Sequence, residues 1–247
     1  MESSKMLVIG GTFLILIIVA GAFLFTATPL GFVGKFYEGG GSGPRADMSQ
    51  YSNLPFDEAS GLDIKDAEPI KWVKNADGVI SGPGNMIFVS SKEFSGDLRG
   101  VRTADQRCNE MAQTASLDGD FKAWLSERQL DAITRFRAGD RPYYNMQGQP
   151  VAANLDDLAY GNLVNPIMFD ENGDKVPPAA MVLTGTQDMG FTKEKTKGAL
   201  PQCYDWTYSA STLSGSYGLA SSTDDRWTDA GVTSCNRDFR IYCIQDG

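Results

Sequence analysis

The sequence predicts an α+β domain cross-linked by two disulfides and preceded by a single transmembrane helix. Three observations carry that expectation. Residues 6–26 (MLVIGGTFLILIIVAGAFLFT) contain no charged side chain, and a helix needs about 20 apolar residues to cross a hydrocarbon core of ~30 Å. All four cysteines, Cys108, Cys203, Cys235 and Cys243, lie C-terminal to that run; an even count behind a membrane-targeting segment reads as disulfides in an oxidising compartment. The polar remainder shows helical periodicity first and short strands afterwards, as α+β domains do.

Taken in order, residues 1–5 are a short cytoplasmic N-terminus and 6–27 the anchor. The apolar run exceeds the ~7–15 residues of a signal-peptide core, and cleavage after Ala27 would put Phe25 where a small residue belongs. A retained anchor fits better. Lys5 before the run and Lys35 after it, each diluted by Glu2 or Glu38, orient it only weakly. The cysteines place the C-terminal bulk outside the reducing cytosol. Residues 28–83 read as a linker, Gly-rich up to Pro44 and then extended, with Leu54, Phe56, Ile64, Ile70 and Trp72 at no regular period. It is either a plain tether or a segment laid along another surface with those residues as anchors. Residues 84–247, about 165 in all, suffice for one domain with its own core.

Within the domain, Met86–Val89 reads as the first strand. Thr103 and Gln106 have capping-box spacing, and Ala104, Cys108, Met111, Ala112 and Ala115 share one helical face, which turns Cys108 inward. Asp118-Gly119 ends that element. Residues 121–125 (FKAWL) form a short strand. Ser126 and Gln129 repeat the capping-box spacing, so a second helix is predicted with Leu130, Ile133 and Phe136 on its buried side. After Gly139 come Tyr143–Met146 and Pro150–Ala152 around a Gln147-Gly148 turn, and Ile167–Phe169 and Lys175-Val176 around Asn172-Gly173. Val182–Thr184 is a strand. In the last strand, Phe239–Ile244, Phe239, Ile241 and Cys243 face one way and Arg240 and Tyr242 the other.

Composition excludes several chemistries. The net charge of −9 argues against nucleic acid and against docking on anionic lipid. The absence of histidine removes Ser-His-Asp and Cys-His catalysis and His-containing zinc sites. No Cys-x-x-Cys pair supports a thiolate metal site, and nothing requires a cofactor. Four cysteines permit three disulfide pairings.

The segments Phe88-Val89-Ser90-Ser91, Gly96–Asp105 (GDLRGVRTAD), Cys108 and Gly119–Ser126 (GDFKAWLS) resemble the endostatin domain that ends certain collagens, and still more its bacterial relatives of unassigned function. Val182–Gly185, Cys203–Trp206, Ser221–Thr223, Arg226–Asp229 and Ile241–Cys243 continue the match in order. The resemblance covers roughly residues 85–246. It implies a C-type-lectin-like fold with nested disulfides, Cys108–Cys243 and Cys203–Cys235. The inward-facing cysteines of the first helix and last strand agree with the first pair. On the chain-entropy model a ~30-residue loop is worth roughly 3–4 kcal/mol and the longer one somewhat more.

Trp227-Thr228-Asp229 occupies the place where calcium-dependent lectins of the resembled fold carry Trp-Asn-Asp. Thr228 removes an amide ligand, and Asp224, Asp225 and Asp229 supply too few oxygens for calcium, which takes six to eight. Asp170–Asp174 (DENGD) mimics a calcium loop, but its glycine falls one position early and position twelve is Met181, so a hairpin turn is expected. Arg128, Arg135, Arg137 and Arg141 form a local basic cluster, as heparin-binding endostatins would suggest, but Asp131 between Arg128 and Arg135 predicts an ion-pair ladder on a solvated helix face. The zinc site of the vertebrate domain depends on histidines and does not carry over. The adjacent acids Asp156-Asp157 and Asp224-Asp225 lack the cleft separation that glycosidase chemistry requires. Tyr143, Tyr144, Tyr204, Trp206, Tyr208 and Tyr217 crowd the predicted loops; most are expected in the core and some on an aromatic contact surface, since Tyr and Trp are favoured interface anchors. Tyr204, Trp206, Trp227 and Asp229 are the candidate binding residues.

The expected function is a non-catalytic, membrane-anchored interaction module, an accessory or structural subunit of a larger membrane assembly with membrane-protein partners. The expected location is a bacterial cytoplasmic membrane, crossed once, with the C-terminal domain periplasmic or extracellular. The alternative is a cell-surface adhesin or glycan-binding, lectin-like protein.

Overall fold

The computed structural model describes residues 64–194 and 200–247. A 3₁₀ turn at Ile64–Asp66 opens them. The elements are β1 (Val73–Lys74), β2 (Ile80–Ser81), β3 (Asn85–Val89), α1 (Val101–Thr114), β4 (Phe121–Ala123), β5 (Tyr143–Asn145), β6 (Pro150–Ala152), α2 (Leu155–Ala159), β7 (Met181–Leu183), β8 (Ser214–Leu219), β9 (Gly231–Ser234) and β10 (Arg240–Gln245). The main sheet runs β6-β5-β3-β10-β7-β8-β9, with β4 also paired to β10. Its β3–β5 and β10–β7 pairs are parallel and the rest antiparallel.

β10 is the centre of this arrangement. Strand side chains alternate faces, and both faces of β10 are buried. Tyr242 and Ile244 enter a core with Ile87, Trp124, Val182 and Trp227. Ile241 and Cys243 enter a second core with Phe88, Phe121 and the inner face of α1. Cys108 on that helix face bonds to Cys243, and Cys203 bonds to Cys235, so the two disulfides are nested.

One part of the expected architecture is corrected. Among the described residues no helix is long and apolar enough to cross a membrane. The span predicted over 6–27 lies outside the described residues, as does most of the predicted linker. The fold class therefore stands as mixed α+β with two disulfides and no membrane-crossing helix among the described residues, and the single-pass anchoring built on that helix is withdrawn.

Residues 64–83, read from the sequence as the end of a linker, lie along the domain. The Ile70 N–H donates to the Gly148 carbonyl at 2.8 Å. Trp72 donates its indole N–H to the Asn145 carbonyl at 3.2 Å and packs edge-on against Tyr144. Backbone bonds also join Ile80 to Ser116 and Asp118.

Two helix expectations fail for identifiable reasons. α1 starts at Val101, two residues before the predicted cap, with Gly100 at the N-cap. Thr103 Oγ1 donates back to the Arg99 carbonyl, and the Glu127 carboxylate instead accepts the Val101 N–H at 3.0 Å. The second predicted helix does not form. Ser126 Oγ accepts from the Ala132 N–H, and only a 3₁₀ turn, Ile133–Arg135, appears. There Arg135 turns inward. Its guanidinium contacts both Asp105 carboxylate oxygens at 2.6 Å and the Ala123 and Leu125 carbonyls.

Candidate interaction site

The most unusual backbone in the domain is Cys203–Trp206. Its four φ angles are 49°, 56°, 54° and 60°, a left-handed turn built without glycine. Each such residue costs roughly 1–2 kcal/mol, so the turn as a whole stores several kcal/mol that its surroundings must offset. Outliers of this kind cluster at functional positions.

Both ends of the turn are anchored. Cys203 is tied by its disulfide, and the fully buried Trp206 donates its indole N–H to the Ser126 carbonyl at 2.9 Å. The Trp206 carbonyl accepts the N–H groups of Leu98 and Gly100, and the Tyr208 N–H returns to the Cys203 carbonyl. Asp205 accepts the Arg128 N–H at 2.9 Å and pairs with the Arg128 guanidinium at 2.7 Å.

This anchoring leaves Tyr204 outside. Tyr204 and Tyr208 are 58% and 55% exposed, with rings 5.4 Å apart and edge-on. The Arg128 guanidinium sits 5.1 Å from the Tyr204 ring, a cation–π contact. Beside them is a shallow pocket of about 310 Å³ lined by Glu127, Arg128, Gln129, Leu130 and Asp205. Phe191 belongs to the same neighbourhood. The adjacent Thr192 donates its N–H to Asp131 and its hydroxyl to the Glu127 carbonyl. Leu130, Phe191, Tyr204 and Tyr208 are four of the six large apolar or aromatic side chains exposed among the described residues, the others being Val73 and Tyr160. Tyr204, Tyr208 and Leu130 thus lie around Arg128, with Phe191 on a neighbouring segment that is bonded to Glu127 and Asp131.

The candidate binding residues separate. Tyr204 is on the surface. Trp206 and Trp227 are fully buried, and Trp227 packs 5.3 Å from Trp124 and 5.2 Å from Tyr242. Thr228, where a lectin-type asparagine would stand, is a core residue: its hydroxyl accepts the Trp124 indole N–H at 2.9 Å and its carbonyl accepts the Thr184 hydroxyl. Asp229 is paired with Lys193. Among the described residues no group of three or more acids or cysteines is placed to hold a metal.

The other charged candidates are occupied locally. Asp170 accepts the N–H groups of Asn172 and Asp174, forming the expected turn. The arginine cluster is not a ladder: Arg128 pairs with Asp205, Arg135 with Asp105 and Arg137 with Asp246. Burial, then the charge of Asp156, raises the Asp157 carboxyl above its ordinary range. The hydrogen bond from Arg226 holds Asp224 below it. Burial alone raises the Tyr242 phenol well above the usual tyrosine range, while its hydroxyl donates to the Trp227 carbonyl.

Sequence reasoning named Tyr204 and Tyr208 among the loop aromatics and Arg128 in a basic cluster, but it did not join them to one another or to Leu130 and Phe191. No signal marked the turn, because Cys-Tyr-Asp-Trp contains neither of the residues, glycine or asparagine, that usually announce positive φ.

No protein-family profile matches the chain. Over 166 residues the chain is 25% identical to the human collagen alpha-1(XVIII) chain, an alignment that covers 62% of this chain. The matched region spans only 9% of the length of that collagen. The similarity is distant and of the endostatin-like kind, compatible with an extracellular interaction or lectin-like module.

Proposed function

We propose that the domain is a non-catalytic protein-interaction module on the extracytoplasmic side of a membrane, where it serves as an accessory subunit of a larger assembly. The observation that carries this reading is the gathering of Leu130, Phe191, Tyr204 and Tyr208 around Arg128 on one rim. Exposed Tyr and Arg clusters are the composition of binding hot spots. A left-handed turn that places Tyr204 outward at a cost in backbone energy supports the same reading. The two disulfides fit an oxidising compartment.

Glycan recognition is the second reading, because the exposed tyrosine pair offers flat rings to a sugar. It draws no support from the calcium-type position, where Lys193 holds Asp229 and Trp227 is buried. Site-specific photo-crosslinking in the native host membrane fraction tests the first reading. A crosslinker at position 204 or 208 is expected to trap one discrete protein that a crosslinker at Tyr160, the other exposed tyrosine among the described residues, does not trap. Equal trapping from all three positions would refute the assignment. A glycan array probed with and without calcium decides the second reading.

A further inference from the structure

We propose that the Cys203–Cys235 disulfide is a thiol-sensitive clasp that regulates the Tyr204 surface, while Cys108–Cys243 is a permanent structural bond. The proposal rests on the reading of that surface as a docking site and adds its regulation.

The two bonds belong to one core, with all four cysteines fully buried, but they differ in backbone setting. Cys243 lies in the middle of β10, in register with Phe88 on one neighbour and Ala123 on another, and Cys108 lies mid-helix in α1. Opening that bond to solvent requires breaking the central sheet. Cys203 and Cys235 sit instead under a rim. Residues 207–212 after the turn are exposed, as are 236–238 after Cys235. The loop closed by Cys203–Cys235 has a sequence separation of 32, against 135 for the other bond, and on the chain-entropy model the shorter loop contributes less stability. Both cysteines are fully buried at rest, so attack follows a local opening of the rim, a lower-energy event than global unfolding.

The bond is also the mechanical restraint on the strained turn. Cys203 is its first residue, and its carbonyl receives the N–H groups of Thr207 and Tyr208. The backbone at Gly96 passes so close to the bond that a Cβ there would fall 2.4 Å from Cys203 Sγ, so only glycine fits beside it. When the clasp opens, residues 203–206 lose the tether that offsets their left-handed conformation. Asp205 then leaves Arg128 and Tyr204 leaves its stacked position. The chemistry is ordinary exchange with a dithiol donor of the exported compartment. A donor thiolate attacks one sulfur, the S–S bond breaks, and the mixed disulfide is resolved by the donor's second thiol. Cys203 and Cys235 gain two electrons and two protons in total, and the donor becomes a disulfide.

The test is a titration of the oxidised full chain with dithiothreitol under native conditions, followed by alkylation, mass-spectrometric mapping and amide hydrogen exchange. Alkylation of Cys203 and Cys235 is expected at a reductant concentration at least tenfold below that for Cys108 and Cys243. Far-UV circular dichroism should be unchanged, and exchange at Trp206, Thr207 and Tyr208 should accelerate at least tenfold while β3 and β10 stay protected. Simultaneous reduction of both bonds, or selective reduction without faster exchange in the turn, overturns the proposal. A Cys203→Ser/Cys235→Ser double variant repeats the exchange measurement without reductant, and if it does not fold the titration decides alone. Crosslinking from position 208 before and after partial reduction separates the two readings. Trapping that disappears on reduction supports both. Absence of trapping in either state removes the docking reading, and the exchange data still decide the clasp.

Discussion

Replacing Tyr204 by glycine should give a more stable protein than replacing it by alanine, the reverse of the usual order. Both substitutions remove the same ring, which is 58% exposed, together with its edge contact to Tyr208 and its stack under Arg128. Those contacts are worth roughly 1–2 kcal/mol together at an exposed site, so alanine should fall below the native protein by about that much. Glycine loses the same contacts, but at φ 56° it is relieved of the left-handed penalty of roughly 1–2 kcal/mol. It gives back about 0.5–1 kcal/mol as additional freedom in the unfolded chain. The net advantage of glycine over alanine is therefore about 0.5–1 kcal/mol, or a Tm higher by roughly 1–4 °C in a domain of this size. Urea and thermal unfolding of the two variants with both disulfides intact measure it. If alanine equals or exceeds glycine, position 204 does not occupy the left-handed region and the strained presentation of the tyrosine is wrong.

Three further outcomes are expected. Gly218→Ala puts a Cβ 1.7 Å from the Trp227 carbonyl oxygen, a backbone clash that should cost about 3 kcal/mol or prevent folding, read by thermal unfolding. Arg135→Ala leaves Asp105 and two carbonyls without their shared guanidinium and should destabilise by about 3–5 kcal/mol; lysine, lacking the fork, should recover less than half of that. Asp246 titrates low: burial, the largest single influence, opposes ionisation, but the hydrogen bonds from Lys122 and the Arg137 N–H and the charges of Lys122 and Arg137 outweigh it. A depressed carboxyl contributes stability above its unfolded pKa and loses it as pH falls through the folded value. Acid unfolding of the native protein below about pH 4 should therefore be steeper than that of Asp246→Asn, which should be about 1–2 kcal/mol less stable at pH 7; parallel pH curves would contradict this.

What the sequence revealed depended on how local the cause was. β3, β10 and the hairpin from Tyr143 to Ala152 were readable because their alternation and turn residues act within a few positions. The capping box at Thr103 misled because the N-terminus of α1 is capped by Glu127, 26 positions away in sequence. The apolar spacing of Leu130, Ile133 and Phe136 fits a helix, yet the hold of Ser126 on the Ala132 N–H and of Asp105, 30 positions away, on Arg135 overrides it. β8 went unseen because SGSYGL has poor strand propensity. Gly215 and Gly218 are there to admit close neighbours: a Cβ at Gly215 would meet the Cys203 sulfur at 2.8 Å. The surface around Tyr204 was half legible. Tyr204 was singled out, but Arg128 and Leu130 come from a segment more than 70 residues earlier, and the buried roles of Trp206 and Trp227 depend on cores that only the folded chain assembles.

The position of β10 bears on how the domain is made. It is the last strand in sequence, and it pairs with β3, β4 and β7 at once. A chain synthesised N-terminus first cannot close this sheet until residues 240–245 have arrived, because such non-local pairing waits on the whole intervening loop. Until then Cys108 lacks its partner and is free to mispair with Cys203 or Cys235. Oxidative folding of this domain should consequently depend on disulfide isomerisation more than its two-bond count suggests, and late proofreading rather than early oxidation should limit its yield.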